Sequence, residues 1–286
     1  MPRKPWIARH SMFTYLCLTL VWSFGIWSLL LLYIRPGGLL QDPPPIAFLF
    51  VVLGGFGPSL SGLLTTWLVY GPEGLHAMWA RFRHWRVGRW WLALLVIPAV
   101  TALTPLLRWL AGYPVDINAM IKLLGPGLAL GFTAGLMEEF GWRGFLLPHL
   151  LKRHAPLVAT LWVGLIWGGV WHGYADYFAF GGRGAVTWLL ILLLGPLLLT
   201  AWSIIITWVY ERTQGSLLLA WLMHASISSS ALIFGQSYTT TAEEITWTAI
   251  SVGLAILAAA VIWLGVRHHN FQPVGMVSET LSAAPR

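Results

Sequence analysis

The sequence predicts an all-α, polytopic membrane protein with about eight transmembrane helices in one bundle. Three observations predict it. Hydrophobic residues make up 57% of the chain and charged residues only 9%, where a soluble domain carries about 25% charged. The mean hydropathy is +0.72. The apolar residues also collect into separate stretches, each near the ~20 residues that a helix needs to cross a bilayer.

The stretches run roughly 13–34, 46–70, 90–112, 124–147, 157–175, 186–210, 215–235 and 245–266. The first follows a basic start, Met1 to Arg9. It exceeds the ~7–15 residues of a signal-peptide core and has no small-residue cleavage site after it, so it reads as a retained helix. Breakers separate several of the others, among them Pro36-Gly37-Gly38, Pro43-Pro44-Pro45, Gly71-Pro72 and Gly181-Gly182. Between the second and third stretches, Pro72 to Arg89 is basic and holds Trp79, Phe82 and Trp85. It reads as an amphipathic element along the interface or as a solvated loop. After the fourth stretch, Pro148 either ends the helix or bends it. Residues 1–269 form one domain with its motif core at about 125–230, and 270–286 reads as a disordered tail.

Loop charges set the orientation. With eight spans, one side carries Arg3, Lys4, Arg9, Arg81, Arg83, Arg86, Arg89, Lys152, Arg153, Arg212, Arg267 and Arg286. The other carries Arg35, Lys122 and Arg183 with Asp42, Asp116, Asp176, Glu243 and Glu244. Basic residues favour the cytoplasmic side, so both termini are expected there, in a multi-pass protein of the plasma membrane. The net charge of +7 serves topology and attraction to anionic lipid, not nucleic acid. Cys17, the single cysteine, excludes a disulfide within the chain and a cysteine-rich metal site, and is expected to be a buried, inert thiol. Trp6, Trp22, Trp90, Trp91 and Trp247 lie near span ends and read as interface anchors.

The chemistry concentrates in GLMEEFGWRGF, Gly135 to Phe145. Charge in a span costs ~2.5–3.5 kcal/mol per residue on insertion scales, so Glu138, Glu139 and Arg143 mark a function. Glu139 and Arg143 stand four apart on one helix face and can pair. Glu138 lies about 100° round the helix from Glu139 and about 140° from Arg143, leaving it for other work. Two further spans each hold an imidazole, His172 and His224. In lipid each needs a polar partner, most economically one another and Glu138. A Glu with two His can hold and deprotonate a water, either directly or through a metal, which is hydrolase chemistry. A rise of ~1.5 Å per residue puts Glu138 about 20 Å and His224 about 18 Å from the outer face, but His172 only about 5 Å. The depth arithmetic therefore joins Glu138 to His224 and leaves His172 about two turns too shallow. Asp176, four residues after His172, reads as a surface loop residue or as the carboxylate that orients the imidazole.

These residues resemble a known family. Glu138-Glu139-x-x-x-Arg143 matches the EExxxR motif of the CPBP family, the intramembrane CAAX-protease and bacteriocin-processing proteins also called ABI. GLIWGGVWHG resembles its second motif, an aromatic-rich helix ending in His, and Tyr210 to Ser230 its third. Gly57-Pro58-Ser59 is similar to an earlier span of the family. The resemblance implies an endopeptidase working in the membrane plane on a peptide or protein substrate, one that can carry a lipid. It implies Glu138 as the base that activates water, His172 assisting, and His224 completing the polar cluster. Glu139 and Arg143 would hold the motif helix in place. It leaves the cofactor open between none and a divalent metal such as zinc, held if present by Glu138, His172 and His224.

Two positions depart from the family pattern. The aromatic expected four residues before the second-motif His is Gly168, with Trp167 and Trp171 on either side, so a one-residue shift or a helix irregularity would have to compensate. The Asn expected four residues after His224 is Ser228, a shorter donor toward a developing oxyanion. A non-catalytic scaffold or bacteriocin-immunity factor is the alternative reading. A proton-coupled transporter is a third, but no pair of broken helices supports it.

Overall fold

The computed structural model describes residues 5–33, 45–180, 185–235 and 238–265. Among them regular structure is helical throughout, with no strand. The helices are α1 (Pro5–Arg9), α2 (Ser11–Ser28), α3 (Pro45–Gly55), α4 (Gly57–Phe82), α5 (Val96–Leu110), α6 (Ile117–Lys122), α7 (Leu124–Gly141), α8 (Leu147–Leu151), α9 (Pro156–Leu165), α10 (His172–Phe180), α11 (Ala185–Arg212), α12 (Leu217–Ile233) and α13 (Thr241–Gly265). The tail expected at 270–286 lies outside the described residues.

Among the described residues each of the eight apolar stretches is mainly helical, but they differ as membrane crossings. Four helical segments are long and apolar enough to span: Ser11–Leu32, Gly88–Leu110, Ala185–Arg212 and Thr241–Gly265. A fifth is the pair Ile46–Gly55 and Gly57–Phe82, bent by 42° at its break. By length and hydropathy alone, four or five crossings are found among the described residues, and the expected count of about eight is not confirmed. The reason is physical. The remaining stretches carry the acids and imidazoles, two of them are interrupted by π turns at Trp142–Leu146 and Ile166–Trp171, and α12 is only 17 residues long.

The molecule is apolar outside and partly charged inside. Leu32 is 77% exposed and Leu264 81%, whereas Glu139 and Arg143 are fully buried. That inversion is what a lipid solvent demands, and it defines an integral, multi-pass membrane protein. Cys17 is exposed on α2 and not buried as expected. The first part of the basic stretch, Pro72 to Phe82, continues α4 as helix beyond a kink at Gly71, whose φ of 71° and ψ of −162° suit only glycine.

The motif helix α7 lies at the centre, packed most extensively on α12 and also on α4. Small residues allow both approaches. Gly127, Gly131 and Gly135 recur every four residues and face Ile233, Ser229, Ala225 and Trp221 of α12. The next residue on that row is Glu139. On the α4 side, a Cβ at Gly62 would lie 2.7 Å from the Phe140 carbonyl oxygen. Farther off, Arg108 of α5 and Glu243 of α13 form a second buried ion pair at 2.7 Å. The Arg108 guanidinium lies 5.2–5.5 Å from the ring centroids of Tyr113, Tyr238 and Trp247. Glu243 is thus a buried partner and not a loop charge, and Trp247 walls that pair instead of anchoring at the interface.

Candidate active site

Glu138 and Glu139 are adjacent on α7 and point to different partners. Arg143 donates from Nη1 to Glu139 Oε1 at 2.7 Å, which is the i,i+4 pair expected from the spacing. The guanidinium also donates from Nη2 to Ser203 Oγ of α11 at 3.1 Å and lies 5.0 Å from the Trp167 ring centroid. The same Glu139 oxygen takes His224 Nδ1 at 2.7 Å. Glu139 thus ties α7 to α12, and through Arg143 to α11.

Glu138 is held differently. Its Oε2 accepts from two indoles, Trp142 Nε1 at 3.0 Å and Trp167 Nε1 at 2.6 Å. Hydrogen bonds to a buried carboxylate of this kind each contribute about 1.5–3 kcal/mol. Its Oε1 faces His224 Nε2 at 3.7 Å, too long for a direct hydrogen bond. The His224 ring sits 5.0 Å from the Trp167 ring. With Nδ1 bonded to a carboxylate that can only accept, the proton belongs on Nδ1, so Nε2 of the neutral imidazole is an acceptor.

His172 is near this group but is not joined to Glu138 by a hydrogen bond or ion pair. Its Nδ1 meets Asp176 Oδ1 at 3.2 Å, and its ring stands edge-on to Trp167 with centroids 5.8 Å apart. The same indole therefore touches both His172 and, through its N–H, the Glu138 carboxylate. Of the two sequence readings of Asp176, its contact with His172 fits the carboxylate that orients the imidazole.

The π turn explains how Trp167 serves where Gly168 cannot. The backbone N–H of His172 bonds to the Trp167 carbonyl, five residues back instead of four. The extra residue lets positions five apart share a face, so Trp167 takes the place that an aromatic four residues before the His would hold in a regular helix. Gly168 instead lies against α11, where a Cβ would come 2.9 Å from Leu199 Cβ. A second π turn follows the EE pair, with the N–H of Leu147 bonding to the Trp142 carbonyl. π turns of this kind concentrate at functional sites.

Ser228 lies one turn beyond His224 on α12 and is half-buried. The residues do not fit a three-ligand metal site. Among the described residues no group of three His, Cys, Asp or Glu could hold one ion. Oε2 of Glu138 already receives two N–H donors, and His172 turns to Asp176. Trp142 and Ser203 are the site residues that sequence reasoning missed. Trp142 stands four residues after Glu138 on the same helix face, which was a usable signal; Ser203 on a distant helix offered none.

Fold and site together define a multi-pass helical membrane protein with a buried acid–imidazole–indole cluster. Residues 120–230, rather more than a third of the chain, match the family model of the type II CAAX prenyl endopeptidase Rce1-like proteins, which supports assignment to the CPBP/CAAX protease family. That segment contains every residue of the cluster. No curated protein matches the chain. The family points to a protease, hence a hydrolase, of the CAAX type, with a peptide or protein substrate at the membrane.

Proposed function

We propose that the protein is an intramembrane endopeptidase in which Glu138 activates water for attack on a peptide bond. The observation that carries this reading is the division of labour within the Glu138 carboxylate. Oε2 is fixed by two indoles, and Oε1 faces the acceptor Nε2 of His224 at 3.7 Å. One water can donate to both acceptors, which turns its lone pair toward a substrate carbonyl. Glu138 takes one proton as the water oxygen bonds to the carbonyl carbon. The carbonyl oxygen becomes an oxyanion, and Ser228 is the donor proposed for it, with His172 assisting the base. Collapse breaks the C–N bond, and Glu138 returns its proton to the leaving amine. Glu139 and Arg143 position His224 and the motif helix.

The fuller reading has eight crossings, both termini cytoplasmic, a location in the plasma membrane, and a substrate that can be lipidated. A second reading is favoured by Ser228 standing where the family has Asn: a non-catalytic member that uses the same cluster as a scaffold or immunity factor. One assay separates them. The purified full chain in detergent is given a diverse peptide library, as wild type and as Glu138→Gln, with and without a chelator. The proposed mechanism requires cleavage by wild type and a loss of roughly 10²–10⁴-fold in the variant. Cleavage that persists at the wild-type rate in Glu138→Gln refutes the role of Glu138. Loss on chelation with recovery on added zinc overturns the metal-free step.

A further inference from the structure

A second polar site lies away from the acid cluster, where α4 and α8 meet. It is a cavity of about 50 Å³, room for roughly three or four waters. Its walls include Tyr70, Arg81, Gly144, His149 and Lys152; three of these are basic, and no acid lines it. The half-buried Arg81 spends its guanidinium on neutral acceptors, Nη1 on the Tyr210 hydroxyl at 2.7 Å and Nη2 on the Gly144 carbonyl at 2.6 Å. No carboxylate pairs with Arg81 or Lys152 among the described residues. His149 donates from Nδ1 to the Phe145 carbonyl at 2.7 Å and accepts from the Tyr70 hydroxyl at Nε2, at 2.9 Å.

The positive charge here is uncompensated. Past the end of the apolar stretch, burial pushes the His149 imidazole down to about 4, and the charges of Lys152, Arg81 and Arg153 act in the same direction. Partial burial and the Arg81 charge likewise hold the Lys152 ammonium below its usual range, although the residue as a whole is exposed. An anion placed between Arg81 and Lys152 would offset their charges.

We propose that this cavity binds the phosphate group of an anionic phospholipid. Basic pockets between membrane helices, at the end of a bundle rich in Lys and Arg, are suited to lipid headgroups. Met78, Phe145 and Pro148 supply apolar wall. Nearby Trp79 and Trp85 are 49% and 58% exposed, as aromatics at the headgroup level are. The Arg81 bond to Gly144 also links the site to the π turn that follows Glu138 and Glu139.

The test uses the full chain in detergent, titrated with phosphatidate, phosphatidylcholine or inorganic phosphate and read by native mass spectrometry. Phosphatidate should bind roughly tenfold or more tighter than phosphatidylcholine, with inorganic phosphate competing only weakly. Lys152→Gln, at an exposed position, should weaken phosphatidate about fivefold, and Arg81→Gln at least as much. Lys122→Gln, on α6, should change nothing. Equal affinity for the two lipids overturns the proposal, as does equal weakening by Lys152→Gln and Lys122→Gln, which would mean diffuse charge. Inorganic phosphate binding as tightly as phosphatidate overturns the lipid as ligand.

Discussion

Replacing Arg143 by Met isolates the interaction that lets two carboxylates sit side by side in a membrane bundle. The Arg143 and Glu139 side chains are 0% and 1% exposed and 2.7 Å apart. Removing one partner of such a pair strands a buried charge, at a cost of about 3–5 kcal/mol. Two smaller contacts leave with the guanidinium: the bond to Ser203 and the stacking on Trp167, each about 1 kcal/mol. In Glu139→Gln/Arg143→Met the stranded charge is gone and only those smaller losses remain, about 2 kcal/mol together. The double variant should therefore be more stable than the single one. Denaturant or thermal unfolding of the full chain in detergent measures both, with Arg83→Met at an exposed arginine as reference. If Arg143→Met costs no more than Arg83→Met, or if the double variant is no more stable than the single, the pairing does not neutralise Glu139.

Three further outcomes are expected. Trp167→Phe removes the 2.6 Å donor to Glu138 and should lower peptidase activity about 10–100-fold, on the value of one charge-assisted hydrogen bond. Trp171→Phe, which loses only a bond to Ser23, should lower it less; equal losses would deny Trp167 a special role. Gly131→Ala pushes a Cβ into the Ala225 carbonyl and Ser229 hydroxyl and should destabilise by about 1–3 kcal/mol, whereas Gly125→Ala meets nothing within 4 Å and should be near neutral. Deleting Gly169 converts the π turn to regular helix and brings Trp167 to four residues before His172. That deletion should preserve activity while an alanine inserted at the same point abolishes it, and the reverse order would refute the account of the π turn.

The acid cluster was largely legible before any coordinates. The four-residue spacing of Glu139 and Arg143 dictates their pairing on any helix, and the same geometry turns Glu138 elsewhere. Depth arithmetic paired Glu138 with His224 and flagged His172 as too shallow. In the structure His172 bonds Asp176, and its ring stands edge-on to Trp167. What was not legible involves contacts between spans. Nothing in the local pattern joins Ser203 to Arg143, or Arg108 to Glu243 across more than a hundred residues. The count of about eight spans went unconfirmed for a related reason: the ruler assumes uniform apolar helices, and the helices that carry the cluster are short, charged and π-interrupted.

Composition and hydropathy alone determined that lipid is the solvent, that the fold is helical, and that the charges in the EExxxR stretch must be satisfied inside the bundle. Those follow from the cost of leaving backbone or charge unpaired in hydrocarbon, which is the same wherever the helices lie. Only the tertiary structure decided which oxygen of Glu138 is tied down and which faces His224. That choice depends on where the indoles of Trp142 and Trp167 arrive in space, and the placement of Trp167 rests on one extra residue in a helix turn.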